Sequence, residues 1–193
     1  DVYWVEPRKR GILPLDGFRL SRSLAKTLRS GRYETTADLA FADVVGLCAE
    51  QAEDRPSTWI NHQIEASVTL LHAGGHAHSI ETWEKGRLVG GLYGVKLGRA
   101  FFGESMFTLE RDGSKLALLA LVAFCRSQGV AWIDCQQNTA HLASLGAHEM
   151  PRLPFEQHVS RASGEADIGP WTYDRSLWRQ LDALQPAAGR NGA

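Results

Sequence analysis

The sequence contains little cysteine and no long apolar run. Its three cysteines (Cys48, Cys125 and Cys135) are scattered and odd in number, which argues against a disulfide framework and favours a reducing compartment. No stretch approaches the roughly 20 apolar residues of a membrane helix. The first residues, DVYWVEPRKRG, lack the apolar core of a signal peptide. These absences predict a soluble cytoplasmic protein with no membrane attachment.

Charge is unevenly distributed along the chain. Residues 1–33 hold eight basic and three acidic residues, although the whole chain of 193 residues has a net charge of −1. A basic segment on an acidic body suits a local contact with phosphates. A solvated helix face is the alternative, and charge alone leaves both interpretations open.

The spacing of apolar residues predicts the order of the structural elements. Three segments have the helical period: FRLSRSLAKTLRSG, with Ser21 or Ser23 as N-cap, LAFADVVGLCAEQ, and INHQIEASVTLLHAGG. Three antiparallel strands joined by tight glycine turns follow in HSIETWE, RLVGGLYGVKLG and RAFFGESMF. DGSKLALLALVAFCRSQG then predicts a buried helix with Ser114 as candidate N-cap. VAWIDCQ predicts a strand parallel to its predecessor.

This order predicts an α+β fold in which a long helix crosses a mixed sheet flanked by helices. It is the order of an acyltransferase sheet of the N-acetyltransferase (GNAT) type. The loop before the long helix, TLERDGSK, lacks the Arg/Gln-x-x-Gly-x-Gly/Ala pattern whose backbone amides bind the pyrophosphate of coenzyme A. We therefore expect a different acyl donor and no cofactor.

Several side chains suggest chemistry and also have structural explanations. His72, His76 and His78 resemble metal ligands, but Gly74 and Gly75 separate the first from the others and no recognised metal motif accompanies them, so we expect no metal. The glycines of RLVGGLYGV suit either a substrate lying against the strand or tight packing on a helix. Glu104, within the apolar run FFGESMF, must be exposed at an edge or paired with a cation.

The strand WIDCQ ends on a carboxylate, a thiol and an amide. A carboxylate next to a thiol raises the pKa of the thiol, which disfavours a cysteine nucleophile. Strand alternation places Asp134 and Gln136 on one face, which we expect to be the face of the site. Cys135 is then a buried structural residue on the other face.

Six strings in order resemble the leucyl/phenylalanyl-tRNA–protein transferase family: STWI, GHAHSIETW, LVGGLYGV, FGESMF, the SK of Ser114 and Lys115, and IDCQ with ASLGA. The resemblance extends from about Tyr3 to about Arg152. It implies a GNAT-like domain that moves Leu, Phe or Met from aminoacyl-tRNA to the N-terminal Arg or Lys of proteins, which marks them for N-degron degradation.

The resemblance also implies roles for individual residues. Asp134 and Gln136 would form the catalytic pair, with Glu104 assisting acceptor binding. Trp59, Lys26 and Arg29 would contact the tRNA. The pocket for the transferred side chain would be formed by five apolar residues: Leu92, Phe101, Met106, Leu121 and Ile133.

The family implies the domain organisation as well. Its members begin with a small domain containing a Phe-Pro-Trp segment, whereas this sequence starts at DVYWV. We expect a basic segment over residues 1–32 (a remnant of, or link to, that domain), an acetyltransferase-like catalytic domain over 33–185, a flexible tail over 186–193, and a monomer. The alternatives are a coenzyme-A-dependent N-acetyltransferase and a non-catalytic tRNA- or peptide-binding relative.

Overall fold

A computed structural model describes residues 6–50 and 58–178 of the chain, except for the side chains of Arg175 and Trp178. Its strands, in chain order, are β1 (Lys9–Pro14), β2 (Glu34–Ala37), β3 (Ala77–Glu84), β4 (Arg87–Leu97), β5 (Ala100–Thr108), β6 (Trp132–Gln136) and β7 (His148–Pro151). Its helices are α1 (Arg22–Arg29), α2 (Phe41–Ala49), α3 (His62–Ala73), α4 (Gly113–Ser127), α5 (Ala140–Ser144) and α6 (Arg152–Ser163), followed by a 3₁₀ turn at Arg175–Trp178.

All seven strands form one mixed sheet in the order β2-β3-β4-β5-β6-β1-β7. The predicted meander is confirmed, because β3, β4 and β5 pair antiparallel as neighbours. The predicted parallel strand is also confirmed, since β6 pairs parallel with β5 after the crossover through α4. The molecule is therefore an α+β protein with a mostly antiparallel sheet.

Tight turns close the meander where the sequence predicts them. Between β3 and β4, Lys85 and Gly86 have φ values of 51° and 75°, the left-handed pair that a two-residue hairpin requires. Gly98, between β4 and β5, has a φ of 54°. The turns hold β4 between its two neighbours, and β4 supplies one wall of the site described below.

Two apolar cores cover the two faces of the sheet. α4 is buried along most of its length and packs on one face, together with the buried side of α1. α2 and α3 pack on the other face against Tyr93, Phe107 and their neighbours. The nearly uniform apolar character of α4 is explained by this position, because β3, β4, β5 and α1 surround it.

The glycines of β4 allow close packing. A Cβ on Gly90 would lie 2.4 Å from the carbonyl carbon of Gly113, the first residue of α4. Of the two interpretations left open by the sequence, the structure has tight packing on a helix at this position. The start of α4 thus approaches β4 at van der Waals distance.

The predicted helix starts are right for α1 and wrong for α4. Ser21 caps α1, and its Oγ accepts a hydrogen bond from the backbone N–H of Leu24 at 3.2 Å. Ser114 is not an N-cap, because α4 begins at Gly113 and its N-cap position is Asp112, two residues before Ser114. Asp112 enters the helix in the left-handed conformation (φ 67°) and its carboxylate binds Lys115 and Thr27 instead of capping.

The N-terminal part of the described chain belongs to the same sheet. β1 lies between β6 and β7 and pairs antiparallel with both. The domain division at residues 32 and 33 stays a prediction, and the proposed tail over 186–193 lies outside the described residues. Over the described ranges, no helix is long and apolar enough to cross a membrane.

Candidate active site

A cavity opens where β5 and β6 part. The two strands pair only at Phe101 with Ile133 and at Phe102 with Asp134. Beyond these positions lies a cavity of about 240 Å³. Its walls come from β4, β5, α4, β6 and from α5 with its N-cap: Leu92, Tyr93, Gly103, Glu104, Ser105, Met106, Leu118, Leu121, Ile133, Cys135, Gln136, Thr139, His141 and Leu142.

Most of the predicted apolar pocket lines this cavity. Leu92, Met106, Leu121 and Ile133 are all in its wall. Phe101 is not: it is buried farther along the same face, with its ring centroid 5.5 Å from that of Trp171. Sequence reasoning missed Leu118, although it lies three residues from Leu121 and the helical period could have identified it. The cavity floor is therefore apolar.

The end of β6 carries a buried ion pair. Asp134 is fully buried, and its two carboxylate oxygens accept hydrogen bonds from Arg10 of β1, from Nε at 3.1 Å and from Nη2 at 2.8 Å. This two-pronged geometry is the strongest that a guanidinium and a carboxylate form. Asp134 does not line the cavity, so its carboxylate acts on its neighbours within the protein.

One of those neighbours is Gln136. Its backbone N–H donates to Oδ1 of Asp134 at 2.8 Å, and its φ of 57° lies in the left-handed region. Gly11 makes room for this turn, since a Cβ there would lie 2.4 Å from the carbonyl carbon of Gln137. The turn directs the Gln136 side chain into the cavity wall. In the described part of the chain, nothing hydrogen-bonds its side-chain amide.

The expectation that Cys135 lies on the face away from the site is wrong. Cys135 lines the cavity together with Ile133, whereas Asp134 points away from it. Regular strand alternation predicts that the side chain of Gln136 points to the same face as that of Asp134, away from the cavity. The left-handed turn at Gln136 instead brings its side chain to the cavity. Burial, and then the Asp134 carboxylate, raise the pKa of the Cys135 thiol to about 12. The thiol is therefore protonated at neutral pH and is a poor nucleophile.

Glu104 stands at a bulge in β5. Gly103 pairs with Gly94 and Ser105 with Tyr93, which leaves Glu104 without an opposite residue. Such an insertion redirects a side chain, and Glu104 lines the cavity. Burial, followed by repulsion from Asp134, raises the pKa of the Glu104 carboxyl, and Arg10 opposes this shift. Glu104 is thus a half-buried carboxylate close to the Arg10–Asp134 pair.

Tyr93 and His141 also line the cavity, and sequence reasoning missed both. The Tyr93 hydroxyl and the His141 Nε2 atom are buried without a hydrogen-bond partner in the described structure. Burial, and then Lys115, lower the pKa of His141, which keeps the imidazole neutral at pH 7. Neither residue stands in a motif that would distinguish it from a packing residue.

His141 separates the apolar cavity from a polar cleft of about 490 Å³. The cleft lies between the start of α1 and the start of α4, and its walls include Arg19, Arg111 and Lys115. Lys26 and Arg29, the predicted tRNA contacts, are exposed on the adjoining helix α1. This side of the molecule therefore carries several cations close to the cavity.

Three of the basic residues near the N-terminus are occupied within the protein. Lys9 pairs with Glu149, Arg10 with Asp134, and Arg32 with Glu84. Only part of the basic excess noted in the sequence is thus available to an external phosphate.

Trp59 is distant in the fold from the basic helix. Its side chain is 55% exposed and precedes Ile60, which packs in the core under α2 and α3. α1 packs on the opposite face of the sheet. The structure does not bring Trp59 together with Lys26 and Arg29. Ser57 of the same motif lies outside the described residues.

Asp38, His72 and His78 are close enough to be considered as metal ligands. However, Asp38 already accepts hydrogen bonds from the backbone N–H of Ser79 at 2.8 Å and from His78 Nδ1 at 2.6 Å. His78 Nε2 contacts the carbonyl oxygen of Gly75 at 3.1 Å. A metal ion would have to displace these bonds, so the cluster fits a structural network better than a metal site. His76 is not part of it.

The fold and this cavity define an α+β protein with an apolar binding site at a split in its sheet. The family model for leucyl/phenylalanyl-tRNA protein transferase matches residues 12–160, so the chain belongs to that family. It is 64% identical, over 85% of its length, to a leucyl/phenylalanyl-tRNA–protein transferase of Rhizorhabdus wittichii, and 52% identical, over 96% of its length, to one of Zymomonas mobilis.

The chain spans about two thirds of the length of these relatives, 66% of the first and 68% of the second. A Staphylococcus epidermidis structure described as a functionally unknown conserved protein has a TM-score of 0.44 at 10% identity, covering 74% of this chain and 57% of that chain. That likeness is too low to support an argument.

Replacing Arg10 by alanine should destabilise the protein by about 3 kcal/mol, because it leaves the Asp134 carboxylate buried without its cation. Lys9→Ala is the matched control, since the neighbouring Lys9 forms an exposed pair with Glu149 that should contribute about 1 kcal/mol or less. Urea unfolding measures both. Equal losses in the two variants would show that the buried pair has no special role.

Gln136→Gly should leave the free energy of unfolding unchanged or raise it by up to about 1 kcal/mol, because glycine adopts the left-handed conformation without steric cost. Gln136→Ala, which keeps a Cβ in that conformation, should not gain this stability. Thermal unfolding of the two variants provides the comparison. A large loss of stability in Gln136→Gly would mean that the side chain has a structural role.

Proposed function

We propose that the protein transfers Leu, Phe or Met from aminoacyl-tRNA to the N-terminal Arg or Lys of acceptor proteins, which marks the acceptors for N-degron degradation. The observation that carries this proposal is the apolar cavity at the split in the sheet, with Gln136 in its wall and the carboxylate of Glu104 at its polar side. Membership of the transferase family supports it.

The cavity fits the donor side chain. Leu92, Met106, Leu121 and Ile133 surround about 240 Å³, which accommodates one large apolar side chain. A methylene more or less in such a pocket changes binding by about 1–3 kcal/mol. A pocket of this kind prefers Leu, Phe or Met to small side chains and accepts more than one of them.

The reaction needs orientation more than strong acid or base catalysis. The α-amine of the acceptor attacks the ester carbonyl, a C–N bond forms, the C–O bond to the tRNA ribose breaks, and a proton passes from the amine to the departing oxygen. Because an α-amine has a pKa of about 7.7–8.0, part of it is already unprotonated at neutral pH. Holding the amine against the ester is then the main contribution.

Gln136 and Asp134 have different roles in holding the acceptor amine against the ester. The carbonyl oxygen of the Gln136 amide accepts a hydrogen bond from the attacking amine. Asp134 is a positioning residue in this proposal, since it holds the backbone N–H of Gln136 and Arg10 holds Asp134.

The acceptor and the tRNA use different surfaces. Glu104 pairs with the basic side chain of the acceptor. Lys26, Arg29 and the neighbouring cleft contact phosphates, which fixes the position of the tRNA without reading its sequence. Trp59, an exposed aromatic ring, is a stacking surface for the terminal base.

We also propose a GNAT-type origin for the fold. The antiparallel meander, the crossover helix α4 and the parallel strand β6 support this relationship. No cofactor takes part in the proposed reaction, and the protein would act as a cytoplasmic monomer.

Transfer of labelled Leu from Leu-tRNA to a peptide beginning with Arg tests the proposal, with acetyl-coenzyme A in parallel. We expect leucylation that disappears when the peptide α-amine is blocked. Gln136→Gly, which should remain folded, should reduce kcat at least about tenfold. Acetylation without leucylation would instead identify a coenzyme-A-dependent enzyme. Binding of tRNA without transfer would indicate a non-catalytic relative.

The acceptor KM should depend on the ionisation of Glu104. Because burial raises the pKa of this carboxyl, the group pairs with a cation only above that raised pKa, and acceptor binding weakens as pH falls through it. Glu104→Gln should raise the acceptor KM about tenfold or more at neutral pH and abolish this dependence. Measuring KM from acid to neutral pH tests both effects.

The raised pKa of Glu104 also predicts how the free energy of unfolding depends on pH. A carboxyl whose pKa is raised by folding favours the folded state below its ordinary pKa, and that stability is lost as pH rises through the raised value. Glu104→Gln should therefore be at least as stable as the wild type at neutral pH. The control is Glu149→Gln, at an exposed carboxylate outside the cavity. An unchanged KM in Glu104→Gln would contradict the role in acceptor binding.

A further inference from the structure

The apolar cavity and the polar cleft are consecutive parts of one groove between β5 and α4. On β5, Met106 lines the cavity and Thr108 lines the cleft, and residues two apart in a strand point to the same face. On α4, Leu118 lines the cavity and Lys115, three residues earlier, lines the cleft, which is again one face of the element. The groove therefore continues past the cavity toward the starts of α1 and α4.

Helix α5 covers the groove where the two chambers meet. Leu142 lines the cavity, Leu145 lines the cleft, and His141 lines both; among the described residues it is the one that the two walls share. The N-cap holds the helix in place, since the hydroxyl oxygen of Thr139 accepts a hydrogen bond from the backbone N–H of Leu142 at 3.2 Å. Leu142 and Leu145 are also buried in the core with α4. The imidazole of His141 thus stands at the boundary between the chambers.

The direction of the groove places this boundary at the inner end of the cavity. Glu104 and Gln136 lie in the cavity wall at the split where β5 and β6 part. From Glu104, β5 runs through Met106 to Thr108, and so from the split to the cleft. A side chain that enters at the split therefore meets the His141 ring at the far end.

The two chambers differ in polarity. The cavity wall next to the boundary is aliphatic at Leu118, whereas the cleft carries Arg19, Arg111 and Lys115. Burial, and then Lys115, lower the pKa of His141, so that the ring between the chambers is neutral at pH 7. An open passage would expose an apolar ligand to water and to these cations, and part of the hydrophobic free energy of binding would be lost.

We propose that His141 is the end wall of the donor side-chain pocket and sets the upper size limit for the amino acid that is transferred. The inference rests on the transferase function proposed above and adds a specificity-determining residue to its donor site. With the ring in place, the pocket has about 240 Å³ and ends; without it, the pocket would open into the cleft of about 490 Å³. Leu, Phe and Met fill the closed chamber, and Trp is disfavoured because its larger ring system meets the wall.

His141→Ala tests the inference because it removes the ring and leaves the backbone of α5 unchanged. Leu and Trp are compared as donors on the same tRNA, so that the tRNA contacts are equal for both. The kcat/KM of Trp should rise and that of Leu should fall, because the opened chamber admits the larger side chain and lets water reach the smaller one. The ratio of the two should change about tenfold or more, the usual effect of a change in pocket size.

Two further variants separate the size of the ring from its chemistry. His141→Leu keeps an apolar side chain of similar size at the boundary, and should keep the preference for Leu over Trp to within about threefold. It should also be as stable as the wild type, since His141 Nε2 is buried without a hydrogen-bond partner in the described structure. His148→Ala, at an exposed histidine of β7 outside both chambers, should change the kcat/KM of neither donor.

Binding measured without turnover distinguishes a wall from a chemical group. Amide analogues of leucyl- and tryptophanyl-adenosine, in which nitrogen replaces the ester oxygen, bind without reacting. Calorimetry on the full chain should show the tryptophanyl analogue binding about tenfold or more tighter to His141→Ala than to the wild type, and the leucyl analogue binding more weakly. A group that acts only in the chemical step would change neither affinity.

Two outcomes would overturn the inference. An unchanged preference between Leu and Trp in folded His141→Ala, with wild-type transfer of Leu intact, would show that the ring does not limit the pocket, while the transferase function stands. An equal loss of kcat for both donors in His141→Ala and His141→Leu, with unchanged analogue binding, would assign the ring to the chemical step. A wild-type chain that transfers no amino acid would remove the proposed function, and the analogue affinities alone would then decide whether the ring closes the cavity.

Discussion

The site depends on the ion pair between Arg10 and Asp134. A carboxylate that is fully buried at the end of a strand is stable only with a cation beside it, and Arg10 supplies one through hydrogen bonds to both carboxylate oxygens. The pair fixes Asp134, and Asp134 in turn fixes the backbone of Gln136. One interaction between neighbouring strands therefore determines where the amide of Gln136 stands.

The split between β5 and β6 brings apolar and charged surroundings together in one cavity. An apolar side chain and a cation need opposite surroundings, one dry and uncharged, the other rich in negative charge. The split provides both, because aliphatic side chains from the α4 side line the cavity and the carboxylate of Glu104 stands in the same wall. The bulge at Glu104 and the left-handed turn at Gln136 bring polar groups to the rim without interrupting either core.

The amino-acid sequence predicts the elements that depend on local pattern. The meander, the buried helix and the parallel strand follow from apolar spacing and glycine turns, and four of the five pocket residues follow from the family resemblance. The placement of Cys135 could not be predicted, because it requires knowing which face of β6 meets the cavity. The start of α4 was predicted two residues late, since Asp112 enters the helix in a conformation that side chains other than glycine rarely adopt.

The sequence also could not predict which residues far apart in the chain contact each other. The sequence does not distinguish the eight basic residues near the N-terminus from one another. The pairing of β1 with β6 identifies Arg10 as the partner of Asp134. Tyr93 resembles an ordinary core aromatic, because an unpaired hydroxyl is a property of its surroundings. Each of these facts depends on contacts between residues far apart in the chain.

The position of β1 between β6 and β7 has a consequence for synthesis on the ribosome. Arg10 emerges 124 residues before its partner Asp134, and β7, which pairs with the other edge of β1, ends only at Pro151. The strand must wait for both neighbours, with its edges unpaired and open to association with other chains. Contacts of this sequence separation form slowly. The growing polypeptide therefore cannot form the Arg10–Asp134 pair and the sheet around it until nearly all of the sheet has been translated.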